Sequence, residues 1–426
     1  MGRLAQFQEY SSGEIQDYND AIDTYFSSFT NHPIIALSQE YRRDFGLSYD
    51  AMMWVALHVD LIDKGVQVNQ FAYNNLPSRW TKERFEKYVT ELSDFYKQTD
   101  FAEFYSSHTS MYEEAVKEVK DVLTSHVSLA WFNDFWGTQS AGNFHVIVSL
   151  VNGCGNYGLK TVDDNQHEEV YSVIGVCPIE QINPSMTVID YLVPLFVHET
   201  NHSYEKGVSE IVEKTRKAGE IIFPTIAEQM KGQAYGSWAI VVEEAMVRAG
   251  VINYMKNDSI NKFDSNREIT IQKGRSFFWI DRLVKLFDTY QQNREKYPTM
   301  KELVPEVVQM YDELAAQISA PGFAFPSIAD ATVKDGEVIS ADTKELTFTF
   351  NKPMLTRGYG FNYGKLGKES MPKIDKIEWV DETHLKLAIR LEKNKSYSLR
   401  LFTQAYSDTE GFPMQQGFEL TFTTAP

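Results

Sequence analysis

The sequence predicts an α+β protein of two domains: a mainly helical domain with a small sheet, followed by an all-β sandwich. Three observations carry this. Apolar residues recur at three- and four-residue spacing from Glu14 to about Leu123, and again from about Ser185 to about Ile318. Between those stretches, from about Ser128 to Val176, the apolar runs are short, β-branched and bounded by Gly, Asn and Asp. After "SAPGFAFPS", Ser319 to Ser327, only short alternating segments remain. A chain of 426 residues also exceeds what one core holds, since single cores stop growing near roughly 250 to 300 residues. The expected division is 1–320 and 321–426.

In the first third, "YDAMMWVALHVDLI" and "ERFEKYVTELSDFY" have the helical spacing, and Ser48 and Asp50 stand where caps belong. "NFHVIVSLVNG" and "EEVYSVIGV" read as strands, and Pro178 and Pro184 punctuate the loop after them. Beyond Ser327 the strand candidates are "ELTFTF", "KIDKIEWV", "HLKLAIRL", "SYSLRLF" and "FELTFTT", spaced as in a sandwich of about 100 residues. There is no internal repeat and no low-complexity tract.

Charge and hydropathy exclude several functions. The formal charge is −18, with no basic cluster long enough to follow a phosphate backbone, so nucleic acid is not an expected partner. The longest apolar runs, "AMMWVALHV" and "YLVPLFV", fall far short of the ~20 residues of a transmembrane segment. "MGRLAQFQEY" has no signal-peptide pattern, so the chain is either cytosolic or has had a signal removed. Cys154 and Cys177 could form one bridge, and buried thiols are the slightly favoured reading.

The chemistry lies in "LVPLFVHETNHSYEKG", Leu192 to Gly207. On a helix, residues four apart share a face, so His198 and His202 can present both imidazoles to one cation. Glu199 then projects beside the metal, where a carboxylate can take a proton from a metal-bound water. The apolar run before His198 supplies a buried face for such a helix. The competing reading is a pair of satisfied core histidines.

Catalytic zinc usually takes three protein ligands and keeps one open position. No further histidine follows His202 in the mixed domain, which leaves a carboxylate for the third place. "GSWAIVVEEAMVRAG" carries Glu243 and Glu244 inside an apolar helical segment, where acidic groups are costly unless paired or coordinated. Glu244 is preferred over Glu243 because Arg248, four residues on, can orient its carboxylate.

"HETNH" followed 42 positions later by a helical glutamate resembles the gluzincin branch of the zincin metallopeptidases. "EEAMVRA" and "NREKYPT" are also similar to an uncharacterised bacterial family, over most of Gly2 to about Ala320. The gluzincin resemblance implies Zn2+ held by His198, His202 and Glu244, Glu199 as general base, and hydrolysis of a protein or peptide substrate. Such an enzyme needs an oxyanion donor. The chain departs from the family pattern in having no evident downstream histidine for that task, and Tyr204, Tyr235 and Tyr254 are all candidates. Substrate in zincins lies along a sheet edge, a part that "HVIVSLVNGCGNYG" fits, with Gly153, Gly155 and Gly158 allowing close approach. A hairpin turn with no substrate role fits the same residues. His145 and His167 read as core or loop histidines, and "VDDNQHEE" as a solvated turn rather than a calcium loop.

"FNKPM" after the strand "ELTFTF", with the later "KSYSLRLFTQAYSDTEGFPM", resembles bacterial Ig-like modules, which act as spacers or binding domains in surface and secreted proteins. That resemblance implies an exported protein, periplasmic, cell-surface or secreted. His384 reads as an exposed strand residue. A second functional reading is a non-catalytic surface binding or adhesion protein with a structural or degenerate metal site.

Overall fold

A computed structural model describes residues 1–10, 15–63, 65–69, 71–74, 76–138, 143–162, 168–178, 186–204, 207–257 and 263–426. His167 and most of the acidic loop around it lie outside the described residues. About 49% helix and 19% strand make the chain mixed α+β. It divides into two compact units, Met1–Tyr204 and Glu205–Pro426.

The first unit begins with α1 (Gln16–Tyr25), α2 (Pro33–Phe45) and α3 (Asp50–Leu57). The helical pattern read through Ile62 breaks earlier, because Val59–Ile62 (β1) pairs antiparallel with Gly65–Val68 (β2). Val59, Leu61, Val66 and Val68 alternate on this ribbon, and two-residue periodicity wins over the helical spacing that overlaps it. Ser48 and Asp50 do not cap α3: Tyr49 precedes the helix with φ +53° and no side-chain cap, and Asp50 pairs with Arg79 instead. Four more helices follow, α4 (Lys82–Gln98), α5 (Phe101–Ser107), α6 (Thr109–His126) and α7 (Leu129–Trp136). The last of them occupies residues expected to open the strand region. Phe132, Phe135 and Trp136 bury one face of it.

A three-stranded sheet comes next, with β3 (Asn143–Ser149), β4 (Tyr157–Val162) and β5 (Glu168–Gly175) in the order β3-β5-β4. The central β5 runs parallel to β3 and antiparallel to β4. Between β3 and β4 the chain turns through Asn152–Gly155 onto the end of β5, so tightly that a Cβ on Gly175 would stand 2.0 Å from the Gly153 carbonyl. This turn brings Cys154 to Cys177, and the two are bonded. The expectation of buried thiols is therefore corrected: Cys154 is exposed, and strand packing, not burial, sets its partner. The unit ends with α8 (Val188–Asn201) and a 3-10 turn at His202–Tyr204.

The second unit starts with α9 (Val208–Lys214), α10 (Arg216–Ile222), α11 (Ala227–Lys231), α12 (Trp238–Asn257), α13 (Ser265–Gly274), α14 (Ile280–Gln292) and α15 (Met300–Ser319). α12 is apolar on all sides and packs against α9 and α14. A Thr299/Glu302 capping box starts α15.

Eight strands complete the unit: β6 (Ile328–Ala331), β7 (Glu337–Ile339), β8 (Glu345–Phe350), β9 (Phe361–Tyr363), β10 (Lys373–Trp379), β11 (His384–Arg390), β12 (Ser396–Leu401) and β13 (Phe418–Thr424). They form two four-stranded sheets, β10-β11-β8-β6 and β7-β13-β12-β9, which share one core containing Phe348, Leu387, Leu399 and Leu420. The five expected segments are all strands. The three that sequence missed are three or four residues long, too short to show an alternating pattern.

Within this unit the connection between β12 and β13 docks on the helical part. Phe412, between β12 and β13, lies 4.4 Å ring to ring from Phe278, and Gln415 donates to the Thr225 carbonyl. A Cβ on Gly411, whose φ is +96°, would meet Lys273 and Phe278 at under 3 Å. Glycine there admits both the left-handed turn and the contact.

Candidate metal centre

The centre is built on the last turn of α8. Thr187 and Asp190 close a capping box at its start, and Leu192, Val193, Phe196 and Val197 are buried along it. Pro194 sits mid-helix and removes the backbone bond to residue 190, a defect the apolar packing offsets. The far end is tied down by polar contacts: buried Trp136 donates through Nε1 to Asn201 Oδ1 at 2.9 Å.

His198 falls in the final helical turn and His202 caps it with helical backbone angles, so the four-residue spacing survives the helix end. Their Nε2 atoms lie 3.3 Å apart. Two ligands on a tetrahedral cation with bonds of about 2.0–2.1 Å stand roughly 3.3 Å apart, so the pair has the spacing of zinc ligands. Glu199 between them is buried, at 8% exposure. Its Oε2 packs over β4 where a Cβ on Gly158 would come within 2.9 Å.

In the second unit, Glu244 is nearly buried on α12 and its Oε2 has two partners. The Tyr235 hydroxyl donates to it at 3.0 Å, and Arg248 Nη2 stands 3.3 Å away. Arg248 also donates through Nη2 to the Tyr235 oxygen at 2.7 Å and through Nη1 to Gln272 Oε1 at 2.9 Å. Gln272 Nε2 in turn donates to Glu268 Oε1 at 2.6 Å. One ligand atom from each of His198, His202 and Glu244 lies within 4.8 Å of the others. Two imidazoles and a carboxylate oriented by an arginine and a phenol make a donor set that fits zinc. Glu243 is half-buried and is not in this group.

The three tyrosine candidates have different surroundings. Tyr204 is buried, stacks on Phe132, Trp136 and Phe144, and donates its hydroxyl to Asn133 Oδ1 at 3.0 Å. Burial pushes its phenol up to about 12. Tyr235 is engaged with Glu244, and burial raises its phenol as well. Tyr254 is buried on α12, ten residues and about 15 Å of helix beyond Glu244. His145 pairs with Glu169 and stacks on Tyr171 across β3 and β5, and His384 pairs with Asp381. Each of these two rings has its own local partner.

Of the three glycines read as a substrate approach, Gly158 lies against a site residue, Glu199. Gly153 and Gly155 pack on Gly175 instead. A cleft of about 590 Å³ between α6, β3 and α8 is lined by Val119, Leu123, Val146 and Phe196. Phe196 is two residues before His198, hence about 200° round the helix, which puts this cleft on the opposite side of α8. Sequence reading missed Tyr235 and Gln272 as partners of the Glu244 and Arg248 pair, because loop and helix residues 9 and 24 positions from their partners leave no periodic signal.

Residues 2–310 match the family model described as "Domain of unknown function (DUF4932)". The chain belongs to the DUF4932 family. No curated protein matches it. Two solved structures align with 55% of the chain: the S-layer protein rSbsC(31-844) at 13% identity and surface layer protein SbsC, domains 1-6, at 14%. Each has a TM-score of 0.18 and is covered over 33% of its own length, so the chain spans a third of either. At that score the likeness carries no argument about this DUF4932 chain. Among the described residues, no helix is long and apolar enough to cross a membrane.

Proposed function

We propose that this chain is a zinc-dependent hydrolase of peptide bonds, gluzincin-like, with His198, His202 and Glu244 holding the metal and Glu199 as general base. The observation that carries the reading is the set of three ligand atoms within 4.8 Å, two of them imidazole nitrogens 3.3 Å apart. Zinc in such a site supplies a Lewis acid and lowers the pKa of a water ligand. Glu199 is buried and follows His198 directly in sequence, and in this reading it takes up a proton and returns it to the leaving nitrogen. A peptide is the favoured substrate because β4, an outer strand of its sheet, runs beside Glu199 at Gly158 and offers a backbone edge for strand addition. No tyrosine is assigned as oxyanion donor.

The zincin-like domain spans 1–320 in this reading, and residues 321–426 form an Ig-like sandwich. In support, the family match stops at residue 310, α15 ends at Ser319 and the first C-terminal strand starts at Ile328. The Cys154–Cys177 bridge favours an oxidising compartment, hence export.

Elemental analysis of the purified protein beside His202→Ala tests the metal. About one zinc per chain, lost in the variant, supports the centre, whereas a metal-free protein after reconstitution removes it. Glu199→Gln should retain zinc and lose turnover of a peptide library. Retained turnover would take Glu199 out of the mechanism.

A further inference from the structure

Arg248 occupies an unusual position. Its guanidinium lies near the rings of Tyr235 and Phe277, 5.7 and 4.9 Å from their centroids, and its side chain is only 11% exposed. Burial of a cation at this depth is costly unless its donors are matched. Its two Nη groups are matched in a directed way, while Nε has no hydrogen-bond partner among the described residues. Because Arg248 donates into the Tyr235 oxygen, the phenol proton is turned toward Glu244. Because Arg248 donates to Gln272 Oε1, the amide of Gln272 presents its NH2 to Glu268. The result is one chain of donors running from the two Nη groups of Arg248, through Tyr235 to Glu244 and through Gln272 to Glu268.

From this chain we infer that Arg248 and Tyr235 are positioning residues for Glu244, holding its carboxylate in the orientation in which it meets the metal. The inference rests on the zinc reading above and adds to it that Tyr235, joined to Arg248, sets the metal affinity of Glu244. A carboxylate held at one oxygen by a phenol and a guanidinium has lost its rotational freedom before a cation arrives, so binding does not have to order it. Without the Tyr235 hydroxyl, Arg248 Nη2 loses its second acceptor and competes more strongly with the metal for Glu244.

The test is zinc affinity by competition with a chromophoric chelator, together with the visible spectrum of the Co2+-substituted full chain, for wild type, Tyr235→Phe and Arg248→Lys. Loss of such supporting contacts weakens metal binding about 10–100-fold. Tyr235→Phe should show a drop of that size and an altered Co2+ spectrum. Arg248→Lys, which keeps the charge but not the two-pronged donor geometry, should behave like it. A purely structural role would lower the melting temperature of the apoprotein and leave affinity and spectrum of the folded protein unchanged. Wild-type affinity and spectrum in Tyr235→Phe would overturn the inference while the zinc reading stands. A wild type that binds no metal would overturn both. Should Arg248→Lys fail to fold, Tyr235→Phe still decides, since it removes one hydroxyl.

Discussion

Glu199 and Gly158 show how finely a single atom can matter. The glutamate carboxylate rests where any side chain on Gly158 would have to go, at 2.9 Å from an added Cβ. Gly158→Ala should therefore displace Glu199 without touching His198 or His202. The expected outcome is retained zinc with lowered turnover, read by elemental analysis and a peptide assay, and unchanged turnover would separate Gly158 from Glu199. His58 is the second residue with a measurable signature. It is fully buried, stacks on Trp54, and donates Nδ1–H to the Trp54 carbonyl at 2.8 Å. Burial holds its pKa below the ordinary value, so the folded ring is neutral while the unfolded one takes a proton below about 6.5. Its contribution is complete above that pH and is lost as pH falls toward the lower folded value. Denaturant midpoints measured from pH 7.5 to 5 should fall, and His58→Phe should flatten that part of the profile.

At the scale of elements, two turns do work that strands and helices cannot. The Asn152–Gly155 turn reaches the end of β5 and is locked there by the Cys154–Cys177 bond across 23 residues. Closing a loop of that length removes unfolded-state entropy worth about 3 kcal/mol. Replacing both cysteines by serine should lower stability by that order, seen as a lower melting temperature. A reductant should act the same way on the native protein. The other turn leads into α12. Ala234 has φ +68°, and this left-handed residue precedes Tyr235, whose N–H donates to the Met230 carbonyl. An L-residue with a side chain holds that conformation at roughly 1 kcal/mol. Ala234→Gly should relieve part of it, raising the melting temperature slightly while leaving zinc content unchanged.

Within the second unit, helices and sheets share a surface. Phe412, at 1% exposure, contacts Phe278 from the helices and Phe323 from the segment that joins them to the sheets. Nearby, the Lys352 amine reaches Asp408 at 2.9 Å and lies over the Phe412 ring. The connection between β12 and β13 is thus packed against the segment joining α13 and α14, and cutting the chain after Ala320 would expose Phe278. Phe412→Ala should cost about 3–5 kcal/mol, the range for deleting a buried phenylalanine. Calorimetry of the full chain should show the helical part of this unit destabilised along with the sheets. A variant that lowers only a separate sheet transition would show that the two melt independently.

By itself, the sequence determined what depends on short-range geometry. The shared face of His198 and His202 follows from helical periodicity, and the long strands β8, β10, β11, β12 and β13 follow from two-residue alternation, because both are properties of a few consecutive backbone angles. Where two local patterns overlap, as at Val59–Ile62, the same logic misreads the helix end, since pairing with β2 decides between them. Tertiary structure alone decided the remainder: the bond between Cys154 and Cys177, the placing of Gly158 under Glu199, the short strands β6, β7 and β9, and the chain from Glu244 through Tyr235 and Arg248 to Gln272 and Glu268. These partners are distant in sequence or joined by irregular segments, and no local preference encodes them. They meet because burying apolar faces leaves few ways to pack the elements, and buried polar groups then settle on whichever partners that packing brings within reach.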